Sequence, residues 1–109
     1  MKSLVVALLA LLLSASGAVA GEVYGTIIDG RKPVAAGVKV EITASGKVYT
    51  AETDKFGSYR VFVKERGKCK FIVHLKEQSP SVELFSYDKS TRYDWVLETK
   101  EGKLSLRRK

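Results

Sequence analysis

The stretch Thr53-Asp54-Lys55-Phe56-Gly57-Ser58-Tyr59 decides the fold, because it places a turn-forming Asp and a Gly between two alternating runs. Lys47–Thr53 alternates before it and Ser58–Val63 alternates after it, as β-strands do, so the residues between them must reverse the chain. An Asp side chain bonds to nearby backbone in such turns, and Gly adopts positive φ at little cost. We predict a central antiparallel hairpin in which Asp54, Gly57 and Tyr59 have structural roles.

The alternation continues on both sides of this hairpin. Val38, Val40 and Ile42 alternate with polar residues, and Cys69, Phe71, Val73 and Leu75 do the same further along. Short runs with this period, separated by turn residues, are typical of an all-β sandwich. We predict one antiparallel β-sandwich domain of seven strands over residues 21–98, with Cys69 and Phe71 in its core.

The first 20 residues have the features of a secretory signal peptide. Met1-Lys2-Ser3 is positively charged, Leu4–Leu13 is uninterrupted apolar sequence, and Ala18-Val19-Ala20 offers a cleavage site. A retained membrane anchor is the alternative, but a span needs about 20 apolar residues, more than this run contains. We predict a signal peptide over residues 1–20, cleavage before Gly21 and an exported protein, periplasmic or secreted, without a transmembrane segment after cleavage.

The positive charge is concentrated at the C-terminus. The chain carries a formal net charge of +7. Residues 99–109 combine five cations with one acid for a net +4; the cations are Lys100, Lys103, Arg107, Arg108 and Lys109. Such an end is usually a solvated tail, so we predict a basic disordered tail over residues 99–109. The alternative is an electrostatic arm that binds anionic membrane or lipopolysaccharide surfaces. Nucleic acid is not expected as a partner of an exported protein.

Residue types that carry catalysis or bind metals are scarce. The chain has one His and one Cys, and the period of two places His74 and Cys69 on opposite faces of one strand. A metal site needs several such ligands. We therefore predict no metal, no cofactor and no enzymatic activity, with Cys69 as a buried apolar residue. The chain lacks Asn, which removes N-glycosylation sites.

Three segments resemble the carboxypeptidase regulatory-like domain, a prealbumin-like sandwich related to Cna B-type domains. Val23–Asp29 is similar to the opening strand of that family, Pro33–Val40 to the segment that follows, and Thr53–Tyr59 to the turn T-D-x-x-G-x-Y. Ala35 and Ala36 precede Gly37, whereas the family usually places Gly first. The resemblance implies a Greek-key sandwich and a non-catalytic module, sometimes grouped with carbohydrate-binding sandwiches.

The segment from Ser86 to Trp95 is the candidate binding site. It contains two Tyr-Asp pairs and the single Trp, and Tyr, Trp and Arg often anchor partners or stack on sugars. The alternative is that the aromatic residues belong to the core. The candidate residues are Tyr87, Asp88, Arg92, Tyr93 and Trp95. We predict a protein or carbohydrate partner in the cell envelope; a structural envelope protein without a ligand is the other interpretation.

Overall fold

The computed structural model describes residues 21–109, so the predicted signal peptide lies outside the described residues. These residues form ten β-strands and no helix, and therefore no helix that could cross a membrane. The strands are β1 (Glu22–Asp29), β2 (Lys32–Pro33), β3 (Lys39–Ala44), β4 (Lys47–Glu52), β5 (Ser58–Phe62), β6 (Gly67–His74), β7 (Ser81–Ser86), β8 (Thr91–Arg92), β9 (Trp95–Lys100) and β10 (Lys103–Arg108). The all-β prediction is confirmed. The predicted number of seven strands is not confirmed, because the described residues form ten; the predicted runs coincide with β1, β3, β4, β5, β6, β7 and β9.

The strands form two sheets, as a β-sandwich requires. One has four strands in the order β4-β3-β6-β7, all antiparallel. The other has six strands, with β1 at its centre and β10 at one edge. β1 pairs antiparallel with β5 and β2, and parallel with β8 and β9, so the sheet is not purely antiparallel. The chain crosses between the two sheets four times.

The core lies between the sheets and follows the alternation seen in the sequence. Val23 and Ile27 of β1 are fully buried, as are Val40 and Ile42 of β3. Phe71 is also fully buried, which confirms its predicted place in the core. Because successive side chains on a strand point to opposite faces, the residues between these positions lie on the outer faces of the sandwich.

The central turn has the predicted geometry. Asp54 accepts hydrogen bonds from the backbone N–H groups of Phe56 and Ser58 at 2.9 and 3.0 Å. Gly57 has φ 74°, and a Cβ there would lie 2.7 Å from the carbonyl oxygen of Ile27. Gly57 therefore provides both the positive φ and the close approach of the turn to β1.

The C-terminal residues correct the prediction of a disordered tail. Thr99 and Lys100 end β9, and Lys103–Arg108 forms β10, paired with β9 along its whole length. Leu104 is 6% exposed and Leu106 packs against the core. The physical reason is the alternation of these two leucines across Ser105, which adds an amphipathic strand to the sheet despite the surrounding charge.

One edge of β10 is bonded by a side chain instead of a strand. The Gln78 amide donates to the carbonyl of Gly102 at 2.9 Å and accepts from the N–H of Leu104 at 2.9 Å. Gln78 lies in the hairpin between β6 and β7 of the other sheet. Its side chain therefore connects the two sheets at this edge.

Candidate functional site

The candidate site begins where β8 gives way to β9 beside β1. Tyr24 of β1 lies opposite Arg92 of β8, and Ile27 of β1 lies opposite Trp95 of β9. The register with β1 is therefore the same on both sides of Tyr93 and Asp94, the two residues that interrupt the strand between β8 and β9. Gly25 lies there, and a Cβ on it would come within 1.9 Å of the Tyr93 carbonyl oxygen. Only Gly allows the backbones to approach this closely.

At this interruption the side chain of Asp94, instead of a backbone carbonyl of a neighbouring strand, accepts the hydrogen bond of the Thr26 N–H. Its carboxylate accepts hydrogen bonds from the Thr26 N–H at 2.9 Å, the Thr26 hydroxyl at 3.1 Å and Arg92 Nε at 2.9 Å. Burial alone raises the pKa of Asp94, but the hydrogen bonds from Arg92 and Thr26 outweigh it, so the pKa lies below its usual value. The ionised carboxylate thus fixes Arg92 on the outer face of the six-stranded sheet.

A pocket of about 410 Å³ opens on this outer face, and we call it the Tyr24 pocket. Its lining residues come from β1, β5, β8 and the central turn: Tyr24, Gly25, Thr26, Asp54, Ser58, Tyr59, Arg60 and Arg92. Tyr24 lies between the two arginines, because Arg60 is opposite it on β5 and Arg92 opposite it on β8. The Arg92 guanidinium carbon lies 6.0 Å from the centre of the Tyr24 ring.

Both arginines of the Tyr24 pocket are held by carboxylates. Arg60 pairs with Glu22, which is 11% exposed and also accepts from the Ser90 hydroxyl. Arg92 pairs with Asp94. The pocket therefore combines an aromatic ring, neutralised guanidinium groups and the hydroxyls of Thr26 and Ser58, a set of fixed donors and acceptors without a large net charge.

Two of the five predicted binding residues belong to the core, which corrects their assignment as contacts for a partner. Trp95 is 2% exposed and Tyr93 is 7% exposed, and their rings stack at 5.6 Å. Trp95 Nε1 donates to the Tyr59 hydroxyl at 3.0 Å, and that hydroxyl donates to the Tyr93 carbonyl at 2.7 Å. Burial raises the pKa of Tyr59 above its usual value, so this hydroxyl stays protonated as a donor. These polar groups are satisfied internally, as buried ones must be.

The other predicted residues are exposed but are not gathered in one place. Arg92 lines the Tyr24 pocket. Tyr87 stacks on Phe85 at 6.4 Å at the end of β7, in the other sheet, and Asp88 pairs with Arg66 at 2.6 Å. The sequence segment thus contributes to both sheets and to the core, and of the five predicted residues only Arg92 lines the Tyr24 pocket.

A second pocket of about 590 Å³ lies farther along the six-stranded sheet, and we call it the Lys100 pocket. It forms where β1 ends at Asp29 while β9 continues; its lining residues are Asp29, Gly30, Val96, Leu97, Glu98, Thr99, Lys100 and Arg107. Arg107 pairs with Glu98 at 2.6 Å, whereas Lys100 has no ion pair within residues 21–109. Of the other tail cations, Arg108 lies over the Tyr93 ring at 4.3 Å.

The residues considered for metal binding or nucleophilic chemistry are apart, as the period of two predicts. Cys69 is buried, and burial raises the pKa of its thiol. His74 lies on the outer face of the four-stranded sheet, where Nε2 is 2.9 Å from Glu41 and Nδ1 is 3.1 Å from Ser79. Within residues 21–109, no group of three or more His, Cys, Asp or Glu could hold a metal ion.

Tyr24 and Arg60 were not among the sequence-predicted site residues. Each lies in a strand whose alternation places it on an outer face, but only the pairing of β1 with β5 and β8 brings them beside Arg92. Comparison with known proteins does not add to this description, because no protein-family model and no curated protein matches the chain.

Proposed function

We propose that this protein is an exported, non-enzymatic β-sandwich module that binds a carbohydrate of the cell envelope in the Tyr24 pocket. Export follows from the signal-peptide features of residues 1–20. The proposed family is the carboxypeptidase regulatory-like domain with its Greek-key, prealbumin-like topology. The hairpins β3–β4 and β6–β7 in one sheet, joined by crossovers to β2, β5 and β8 in the other, support that topology.

The observation that carries the proposal is the row Arg60, Tyr24 and Arg92 across the outer face. Sugars present an apolar ring face and many hydroxyls, so they are bound by an aromatic ring with converging polar groups. The carboxylates of Glu22 and Asp94 hold the two guanidinium groups in place, which reduces the entropy lost on binding. A protein partner fits less well, because the centre of a protein interface is depleted in charged residues, whereas this pocket mixes one aromatic ring with Asp54, Arg60 and Arg92.

A pair of tyrosine variants tests this function. Tyr24→Ala should reduce binding to envelope polysaccharides in affinity electrophoresis by about tenfold or more, because it removes the ring of the pocket. Tyr87→Ala is the matched control, since it removes a ring that is 47% exposed on the other sheet. Equal loss in both variants would contradict the assignment to the Tyr24 pocket.

Two other functions predict different results in the same experiment. A structural envelope protein without a ligand would bind none of the polysaccharides, and neither tyrosine variant would matter. A binder of anionic membrane or lipopolysaccharide surfaces would bind vesicles through its basic residues, and that binding would weaken with salt irrespective of Tyr24.

A further inference from the structure

We infer that the Lys100 pocket is a second subsite for the same ligand, which makes that ligand an extended, acidic polysaccharide. This inference rests on the proposed function of the Tyr24 pocket. The first argument is position. Both pockets are lined by β1, together with β8 at the Tyr24 pocket and β9 at the Lys100 pocket, and Ile28 lies between them on one outer face, beside Val96 of the Lys100 pocket.

The separation of the pockets sets the length of the ligand. By the register of β1 with β8 and β9, Asp94 lies opposite Thr26, which lines the Tyr24 pocket. Glu98, which lines the Lys100 pocket, comes four residues after Asp94 in the same extended segment. A strand rises about 3.3 Å per residue, which places the two pockets on the order of 13 Å apart. One sugar cannot touch both pockets, whereas an extended oligosaccharide lying along the strands can. The apolar Ile28, beside Val96 of the Lys100 pocket, then lies under its middle.

The second argument is charge. In the Tyr24 pocket each arginine has its own carboxylate, Glu22 or Asp94. At the other end the cations Lys100, Lys103 and Arg107 lie close together, because Lys100 is opposite Lys103 and Val96 is opposite Arg107. Two acids lie beside them, Glu98, which pairs with Arg107, and Asp29 in the lining of the pocket. These five side chains have a net charge of +1, and neither Lys100 nor Lys103 has an ion pair within residues 21–109, so this end of the sheet favours an anionic group.

A glycan explains this arrangement better than a membrane does. A protein that inserts into a membrane surface presents protruding apolar side chains beside its cations. Here the apolar residues of the Lys100 pocket, Val96 and Leu97, are 7% and 1% exposed, and a carboxylate, Glu98, stands between the cations. Carboxylates or sulfates spaced along a polysaccharide match cations spaced along a strand.

The test uses oligogalacturonides as the acidic probe and cello-oligosaccharides of equal length as the uncharged probe, with the protein purified after export. The double variant Lys100→Gln with Arg107→Gln should weaken binding of long oligogalacturonides about tenfold, and binding of the uncharged probe hardly at all. Binding of the wild type to the acidic probe should tighten with length and weaken with salt.

The matched control removes the same two charges from the opposite sheet, as Lys68→Gln with Lys70→Gln. Equal weakening in both double variants would overturn the second subsite, as would strong binding to phosphatidylglycerol vesicles that depends on Lys100 and Arg107. A further outcome is that Tyr24→Ala abolishes binding of the uncharged probe, while Lys100→Gln with Arg107→Gln leaves binding of the acidic probe unchanged. That outcome would overturn the inference and leave the proposed function standing. No effect of Tyr24→Ala on either probe would instead overturn the proposed function.

Discussion

The outer faces of the two sheets differ in charge although the same alternation builds both. On the four-stranded sheet three lysines alternate with three acids for a net charge of zero; these are Lys39, Lys68, Lys70, Glu41, Glu52 and Glu83. On the six-stranded sheet five cations and three acids give +2; these are Arg60, Arg92, Lys100, Lys103, Arg107, Glu22, Asp94 and Glu98. A balanced face is typical of a solvated surface, whereas the asymmetric face contains both pockets.

The faces also differ in how their strands are joined. Two of the three strand pairs in the four-stranded sheet, β3–β4 and β6–β7, are hairpins, and only β3–β6 joins distant segments, so residues close in space on it are often close in sequence. The six-stranded sheet brings together segments from both ends of the domain around β1. Arginines from β5 and β8 therefore meet on either side of Tyr24. The site follows from the long-range connections of the fold, and the hairpins alone do not produce it.

The largest expected effect comes from breaking the six-stranded sheet at Gly25. Gly25→Val should cost more than about 4 kcal/mol in the free energy of unfolding, because its Cβ would collide with the Tyr93 backbone. Gly46→Ala in the other sheet is the comparison, since a Cβ there has open space and only its φ of 79° opposes it. That change should cost about 1–2 kcal/mol in denaturant unfolding. Similar losses of stability in the two variants would show that the backbones of Gly25 and Tyr93 do not approach closely.

The next effect concerns the edge strand of the basic face. Leu104→Ala should lower the free energy of unfolding by about 2–4 kcal/mol, because this side chain is buried against the core. Ser105→Ala, one residue away and exposed, should change it by less than about 0.5 kcal/mol. Thermal unfolding of both variants decides whether β10 is docked, because a disordered tail would give no difference between them.

The sequence pattern alone is sufficient to predict some elements of this fold and insufficient for others. Alternation predicted the seven main strands, the Asp54 turn and the buried Phe71, because these depend on neighbours in the chain. It also showed Tyr93 and Trp95 to share a strand face, but not that this face is the inner one. Leu104 and Leu106 have the same period of two, but the density of charge around them is typical of a solvated tail.

The candidate site was harder to predict for a physical reason. Tyr24, Arg60 and Arg92 are separated by 36 and 32 residues, and their meeting depends on which strands pair with β1. Local patterns place a side chain on a face without specifying its neighbours across the sheet. Arg92 was identified from the aromatic residues around it, although two of those aromatic residues, Tyr93 and Trp95, lie in the core.

A smaller effect should appear at Asp94 and should depend on pH. Asp94→Asn should cost about 1–2 kcal/mol at neutral pH, because it weakens hydrogen bonds with Thr26 and Arg92. The folded pKa of Asp94 is lowered, so ionisation stabilises the fold above the ordinary carboxyl pKa of about 3.9. That stability is lost as the pH falls through the folded pKa. The difference between wild type and variant should therefore shrink in acid; a constant difference would argue against the ionised contact.

The smallest effect is expected on the balanced face. Lys68→Gln breaks a surface ion pair with Glu83 at 3.8 Å, and both side chains are more than 60% exposed. Such pairs contribute little, so the melting temperature should hardly change and the free energy should shift by less than about 0.5 kcal/mol. Polysaccharide binding should also stay the same. A clear loss of binding would place a ligand on the four-stranded sheet and remove the contrast between the faces.

The bond between Gln78 and β10 has a consequence for self-association. A free edge strand exposes N–H and C=O groups to which a second chain can add, and this is a common route to aggregation. The amide of Gln78 occupies the Gly102 carbonyl and the Leu104 N–H with the same donor and acceptor pattern as a neighbouring strand. An incoming chain would have to displace that side chain before it could pair with this half of β10. One glutamine therefore protects the more apolar half of the edge, while Arg107, Arg108 and Lys109 at the other end repel a second copy by charge.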